Sequence, residues 1–334
     1  MRRWARGLGL FLILPAALAV MSLPGTTSVS SAPTLDRLLG YAVVEAADVP
    51  ADPILLPVSL PALIAAAAPS AIPLGRADAA LALPPQVVSV YGFPGICSMG
   101  ELGCHEPAAA AARARVLAAA LDEANGDRGG VPALHLIVAV AQPEPGPDGT
   151  YLAWMPEARI REWVEVARAE RVMLFLDLQI GWSDPMDGVR RIEWALGEPF
   201  VHLALDPEFA TRHRGLPPGE AIGTLVANDV NAVQARLAQI VTARAIPAKM
   251  LVLHQFTPTM LTEKARYLGY PEVAITIDMD GYGSPAAKLS GYEAYAREGA
   301  ELAALKLFFR WDEPLLSPAE LQALPHPPDY VIYQ

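Results

Sequence analysis

Cysteine is nearly missing from this chain of 334 residues: Cys97 and Cys104 are the two it has. In an exported chain two cysteines this close imply a local disulfide. Zinc held with His105 is the alternative, although three candidate ligands at this spacing match no established zinc pattern. Positive charge is also in short supply, with a formal net charge of −11. An acidic balance disfavours nucleic acid or an anionic membrane surface as the main partner. The chain has no Walker sequence, no G-x-S-x-G and no H-E-x-x-H, so P-loop, serine-hydrolase and zincin chemistries lack their signatures. Internal repeats, heptads and charge blocks are absent too.

Apolar residues are plentiful, at 53%, and support a sizeable core. Residues 1–32 combine Arg2, Arg3 and Arg6 with the apolar run Leu8 to Leu23 and a small-residue tract ending at Ala32, the pattern of a secretory signal or N-terminal anchor. Pro15 interrupts the run, which is short for a membrane span, so export with cleavage and no stable membrane insertion afterwards is the expectation. Loss of three arginines and no acid would take the net charge to −14. Residues 33–85 are rich in Ala, Pro and Leu, with Pro50, Pro53, Pro57, Pro61, Pro69, Pro73, Pro84 and Pro85 excluding a long helix or a sheet interior. They read as an envelope-spanning linker, with short helices around Leu35–Leu39 and Leu60–Ala67 as candidates to pack on the domain C-terminal to them.

From residue 86 to 334 strand-like apolar runs alternate with helical stretches, the βαβ signature of a parallel sheet. Eight strands are expected near Val87–Tyr91, Ala133–Val140, Val172–Leu178, Val201–Leu205, Met250–Leu253, Val273–Ile277, Ala304–Phe309 and Tyr330–Tyr333. Helices are expected around Glu106–Ala124, Glu157–Ala169, Met186–Leu196, Asp229–Ala243, Pro258–Tyr267, Pro285–Arg297 and Pro318–Ala323. This count and length predict a closed α/β fold, a (β/α)8 TIM barrel without a C-terminal eighth helix, whose open side part of the 33–85 segment would cover. The long connection from Phe209 to Asn228 would lie on the catalytic face as a lid or binding loop.

In such a barrel the working residues sit at the C-terminal ends of the strands. Several runs end in polar clusters: Asp177 with Gln179, Asp206 with Glu208, His254-Gln255, and Asp278 with Asp280. Alternation puts each carboxylate pair on one strand face if the strand persists that far. Unpartnered burial of such groups would be costly, which leaves a solvated cleft or a satisfied polar network. Carboxylates combined with amides and with the aromatic faces of Tyr91, Trp154, Trp182, Tyr282 and Trp311 are what a sugar site needs. Glu208 is the candidate acid, Asp278 or Asp280 the second carboxylate, and Asp206 their companion or a simple cap of the following loop. Tyr91, Asp177, Gln179, His254, Gln255, Tyr282, Lys306, Arg310 and Trp311 are candidate substrate contacts. Lys306 and Arg310, read on one face of the seventh strand, would either hold the acids ionised or bind an anionic substrate. The string Gly281 to Ala286 resembles a phosphate-binding turn but sits too late in the chain for a dinucleotide site, and Asp278-x-Asp280-Gly281 lacks the rest of a calcium loop.

The strings Tyr91-Gly92-Phe93-Pro94-Gly95, Asp177-Leu178-Gln179-Ile180-Gly181, His202-Leu203-Ala204-Leu205-Asp206-Pro207-Glu208-Phe209, His254-Gln255-Phe256-Thr257 and Ile277-Asp278-Met279-Asp280-Gly281 resemble those of uncharacterised exported bacterial TIM-barrel proteins, similar in layout to glycoside hydrolases. The resemblance implies the barrel and export. Where many such hydrolases carry a glutamate after the seventh strand, this chain has Arg310. The expectation is therefore a secreted or envelope-associated barrel acting on a carbohydrate-like small molecule or envelope glycan, with no cofactor and no resident metal. Two alternatives are a non-catalytic binding barrel and a metal-assisted phosphodiesterase using Asp177, Asp206, Glu208 and Asp278 as oxygen ligands.

Overall fold

A computed structural model describes residues 85–126 and 128–334. The export signal expected at 1–32 and the linker expected at 33–85, apart from Pro85, lie outside the described residues. The barrel strands are β1 (Gln86–Gly92), β2 (Gly130–Ala141), β4 (Met173–Gln179), β5 (Val201–Asp206), β6 (Lys249–Gln255), β7 (Val273–Met279), β8 (Leu302–Leu307) and β9 (Tyr330–Tyr333). All pair in parallel with their neighbours, and β1 pairs with both β2 and β9, so the sheet closes. A short strand, β3 (Leu152–Trp154), adds antiparallel to the C-terminal end of β2. The eight expected strands are therefore the eight staves of a TIM barrel.

Six α-helices are found among the described residues: α1 (Pro107–Ala124), α2 (Glu157–Ala169), α3 (Pro185–Leu196), α4 (Ala227–Arg244), α5 (Pro285–Tyr295) and α6 (Pro318–Gln322). Their starts reflect local chemistry. Proline at the first turn of α3, α5 and α6 gives up an N–H that would be unpaired anyway. Side-chain oxygens of Asp184, Ser284 and Ser317 accept from the exposed N–H groups behind them. In α6 Glu320 reaches back to the Ser317 N–H at 2.8 Å, completing a capping box. For a helix of only 5 residues this cap matters: Ser317→Ala is expected to cost about 1 kcal/mol, read as a lower urea midpoint at unchanged slope.

One expected helix is absent. Pro258–Tyr267 forms an extended loop ending in a single 3-10 turn, Lys264–Arg266. Here tertiary pairing overrides the helical pattern: Leu225 bridges Leu261, the Leu225 N–H donates to the Met260 carbonyl at 2.9 Å, and the Thr262 N–H donates back to Leu225 at 3.1 Å.

Alternation along the strands divides the core in two. Outward residues such as Leu136, Leu174, Leu176, Leu203, Leu251 and Ile275 meet the helix faces carrying Trp163, Ile192 and Leu237. Inward residues fill the barrel with Phe175, Met250, Val252, Tyr330 and Ile332, between the small Ala133, Ala204, Ala274 and Ala304. The small side chains matter for function. They leave room near the top of the barrel for the polar residues that share the inward phase.

Candidate active site

Continuing each inward phase to the C-terminal ends brings His135 (β2), Asp177 and Gln179 (β4), Asp206 (β5), His254 (β6), Asp278 (β7) and Lys306 (β8) into the barrel, all buried. Asp280, just past β7, joins them at the mouth. Tyr91 from β1 lies edge-on to His135 and His254, with centroid separations of 5.0 and 6.0 Å. The backbone under Tyr91 is fixed by a close turn: a Cβ on Gly100, at φ 130°, would strike the Tyr91 carbonyl. Gly100 lies in the 3-10 segment closed by the Cys97–Cys104 disulfide, whose Cα atoms are 4.5 Å apart.

A chain of contacts crosses the site. His135 Nδ1 donates to the Tyr330 hydroxyl at 2.9 Å, and that hydroxyl donates to Ser89 Oγ at 2.8 Å. His135 Nε2 faces Asp177 at 3.5 Å, and His254 Nε2 faces the same oxygen at 3.3 Å. His254 Nδ1 lies 2.9 Å from Asp278 and 3.1 Å from Asp280. Lys306 Nζ binds the other Asp280 oxygen at 2.9 Å and sits 3.5 Å over the Tyr91 ring.

This arrangement sets the charge states. Burial opposes ionisation of Asp280, but Lys306 and His254 outweigh it and hold the carboxyl below its ordinary value. Asp177 is treated likewise: burial would raise it, and the two histidines drive it down. Burial disfavours charge on His254 too, yet Asp177 and Asp280 keep its pKa well above the usual imidazole value. Asp206 and Glu208 lie on the other side of the balance. Burial raises Asp206 to about 7, with Asp177 and Asp280 adding to it against an opposing His254. Burial, then Asp206 and Asp280, push Glu208 up to about 8. Asp206 and Glu208 are thus the two carboxyls of the cluster pushed toward their protonated forms.

The other expected site residues have structural or peripheral places. Asp206 accepts the Glu208 N–H at 3.0 Å and so caps the 3-10 turn Pro207–Phe209, which aims Glu208. Gln179 accepts the Ala141 N–H at 2.7 Å and ties down the end of β2. Gln255 is next to His254 in sequence and therefore falls on the opposite strand face, donating to the Thr257 carbonyl at 3.0 Å. Arg310 does not share a strand face with Lys306, because β8 stops at Leu307; it lies exposed in the turn beyond, lining a pocket with Cys97, Glu101, Trp311 and Gln334. Tyr282 and Trp311 are 39% and 40% exposed, their rings 5.8 Å apart and both near Phe308. Asp312 sets this pair by accepting from Gly283 N at 2.9 Å and Phe308 N at 2.8 Å while pairing with the buried Lys288 at 3.2 Å. The loop after β5 is fastened by Trp182, which donates to the Leu216 carbonyl at 3.0 Å.

Sequence reasoning missed His135, Tyr330 and Lys288. The only signal for His135 is its phase, inward with Ala133 and Ile137 in an otherwise apolar strand.

No family model and no curated protein matches the chain. Among solved structures it is similar to a GH5-4 broad specificity endoglucanase from an uncultured bacterium, at 8% identity and a TM-score of 0.29, over 57% of this chain. The chain spans 64% of that structure's length. Among the described residues no helix is long and apolar enough to cross a membrane.

Proposed function

We propose that this barrel is an exported glycoside hydrolase acting on a carbohydrate of the cell envelope. The observation that carries this reading is the opposite setting of two carboxyls at one mouth: Asp280 is clamped by Lys306 at 2.9 Å, whereas burial and neighbouring acids push the Glu208 pKa up to about 8. Two carboxyls pushed apart in this way are suited to divide the acid and carboxylate roles of glycoside cleavage. Glu208 gives its proton to the glycosidic oxygen as the C–O bond breaks. Asp280 attacks the anomeric carbon or takes a proton from the attacking water, and the anomer released shows which. Asp278 is fully buried beneath it, which favours Asp280 for direct contact with sugar.

Tyr282 and Trp311, exposed beyond the ends of β7 and β8, supply flat faces for a sugar ring. Trp311→Ala is expected to raise KM about tenfold with little change in kcat, as loss of stacking removes binding common to ground and transition states. The decisive test offers aryl glycosides and envelope polysaccharides to the purified protein and monitors new reducing ends. Saturable release supports the reading. Binding of an oligosaccharide without cleavage of any substrate would replace it with a binding barrel.

A further inference from the structure

Below the proposed acid and its partner, three inward side chains meet: His135 on β2, Asp177 on the adjacent stave β4 and His254 on β6, all 0% exposed. One donor atom from each lies within 4.8 Å of the other two. His135 Nε2, His254 Nε2 and both Asp177 carboxylate oxygens have no hydrogen bond of proper geometry, although buried polar atoms are almost always satisfied. The tautomer sharpens the problem. Tyr330 spends its proton on Ser89, so it accepts from His135 Nδ1–H, and the Nε2 lone pair of neutral His135 then faces the lone pairs of Asp177 at 3.5 Å. Two acceptors pointed at each other in a dry interior repel unless a cation lies between them.

We propose that His135, Asp177 and His254 form a binding site for one divalent transition-metal ion of the zinc class. This goes beyond hydrolysis by Glu208 and Asp280 and departs from the expectation of a metal-free barrel. Two imidazoles and a carboxylate are a donor set suited to zinc and its neighbours. Tetrahedral ligands at zinc bond lengths of about 2.05 Å are separated by about 3.3 Å. The spacings from Asp177 to the two imidazole nitrogens are 3.3 and 3.5 Å. His135 Nδ1 has the outer hydrogen bond that metal-bound imidazoles use, to Tyr330 at 2.9 Å, and His254 Nδ1 lies 2.9 and 3.1 Å from carboxyl oxygens of Asp278 and Asp280. Binding would release the Nε2 proton that His254 otherwise turns toward Asp177 at 3.3 Å, and the ion would take over neutralising the carboxylate charge and fix His254, against which Asp280 leans.

The test uses the full chain, stripped with chelator and then titrated with Zn²⁺ or Co²⁺. One equivalent should bind per folded chain, with a visible Co²⁺ absorption band and a rise in melting temperature. His135→Gln should abolish the band, and Tyr330→Phe, which keeps the ring and removes the support, should weaken binding about 10- to 100-fold. Glu208→Gln should bind metal like wild type, which separates this site from the hydrolytic reading. If the folded wild type takes up no ion, or if Tyr330→Phe binds Co²⁺ with wild-type affinity and spectrum, the proposal is wrong. A folded protein that takes up no added ion yet cleaves glycans would overturn this site and leave the hydrolase standing.

Discussion

Lys306→Met is expected to destabilise the fold by about 3 kcal/mol at neutral pH, the lower end of the range for breaking a buried ion pair. Removing the ammonium leaves Asp280, with a side chain only 10% exposed, without its partner at 2.9 Å. The loss stays at the lower end because His254 remains 3.1 Å away. The pH dependence has a definite sign. Asp280 is held below its ordinary value in the wild type, so its pairing contributes stability above the unfolded carboxyl pKa of about 3.9, and this is lost as pH falls through the folded value. The deficit of Lys306→Met should therefore be full at pH 7 and shrink under acid. The double variant Lys306→Met with Asp280→Asn should recover most of the loss, since removing both partners leaves no uncompensated charge. Urea unfolding of the four proteins gives the coupling directly. A single variant within 0.5 kcal/mol of wild type would mean that the pair is not what keeps Asp280 charged.

The staves were legible because burial on both faces writes them as continuous apolar runs. Their polar endings were legible because an acid at a strand end has few economical explanations. The features that stayed hidden depend on contacts made far along the chain. Pro258–Tyr267 has the composition of a helix, but Leu225 and Thr262 recruit its backbone into a bridge. Arg310 sits where one more strand turn would have aimed it inward, and the chain leaves β8 three residues earlier. His135 lies between Leu134 and Leu136 in the interior of a 12-residue strand, so a search of strand ends passes over it. Its neighbours in space, Tyr330 and Asp177, come from β9 and β4. Lys288 is hidden for a related reason: on a helix a lysine reads as solvated, yet this one is buried against Asp312 and the Lys306 carbonyl. Residue types and phase locate the mouth of a barrel; closure alone decides which side chains meet inside it.

Glu208→Gln should lower kcat about 10²- to 10⁴-fold, the usual contribution of a general acid, with KM nearly unchanged because the amide keeps the shape and most of the polar contacts. Wild-type kcat/KM should fall as pH passes about 8, where Glu208 gives up its proton, and the variant's residual rate should lack that alkaline limb. Stability should move the other way. A carboxyl whose folded pKa is raised contributes stability that is full below its unfolded pKa of about 4.3 and is lost as pH rises through the folded value. Wild type therefore becomes less stable between pH 5 and about 8 on account of Glu208, and glutamine carries no such loss. Thermal melts across this range should show the variant gaining on wild type as pH rises, while turnover stays low throughout. The kinetic limb is what identifies the acid, because a buried glutamate serving only to pack would give the alkaline gain in stability without the lost limb. A variant that retains wild-type turnover on a cleavable glycan would remove Glu208 from the acid role.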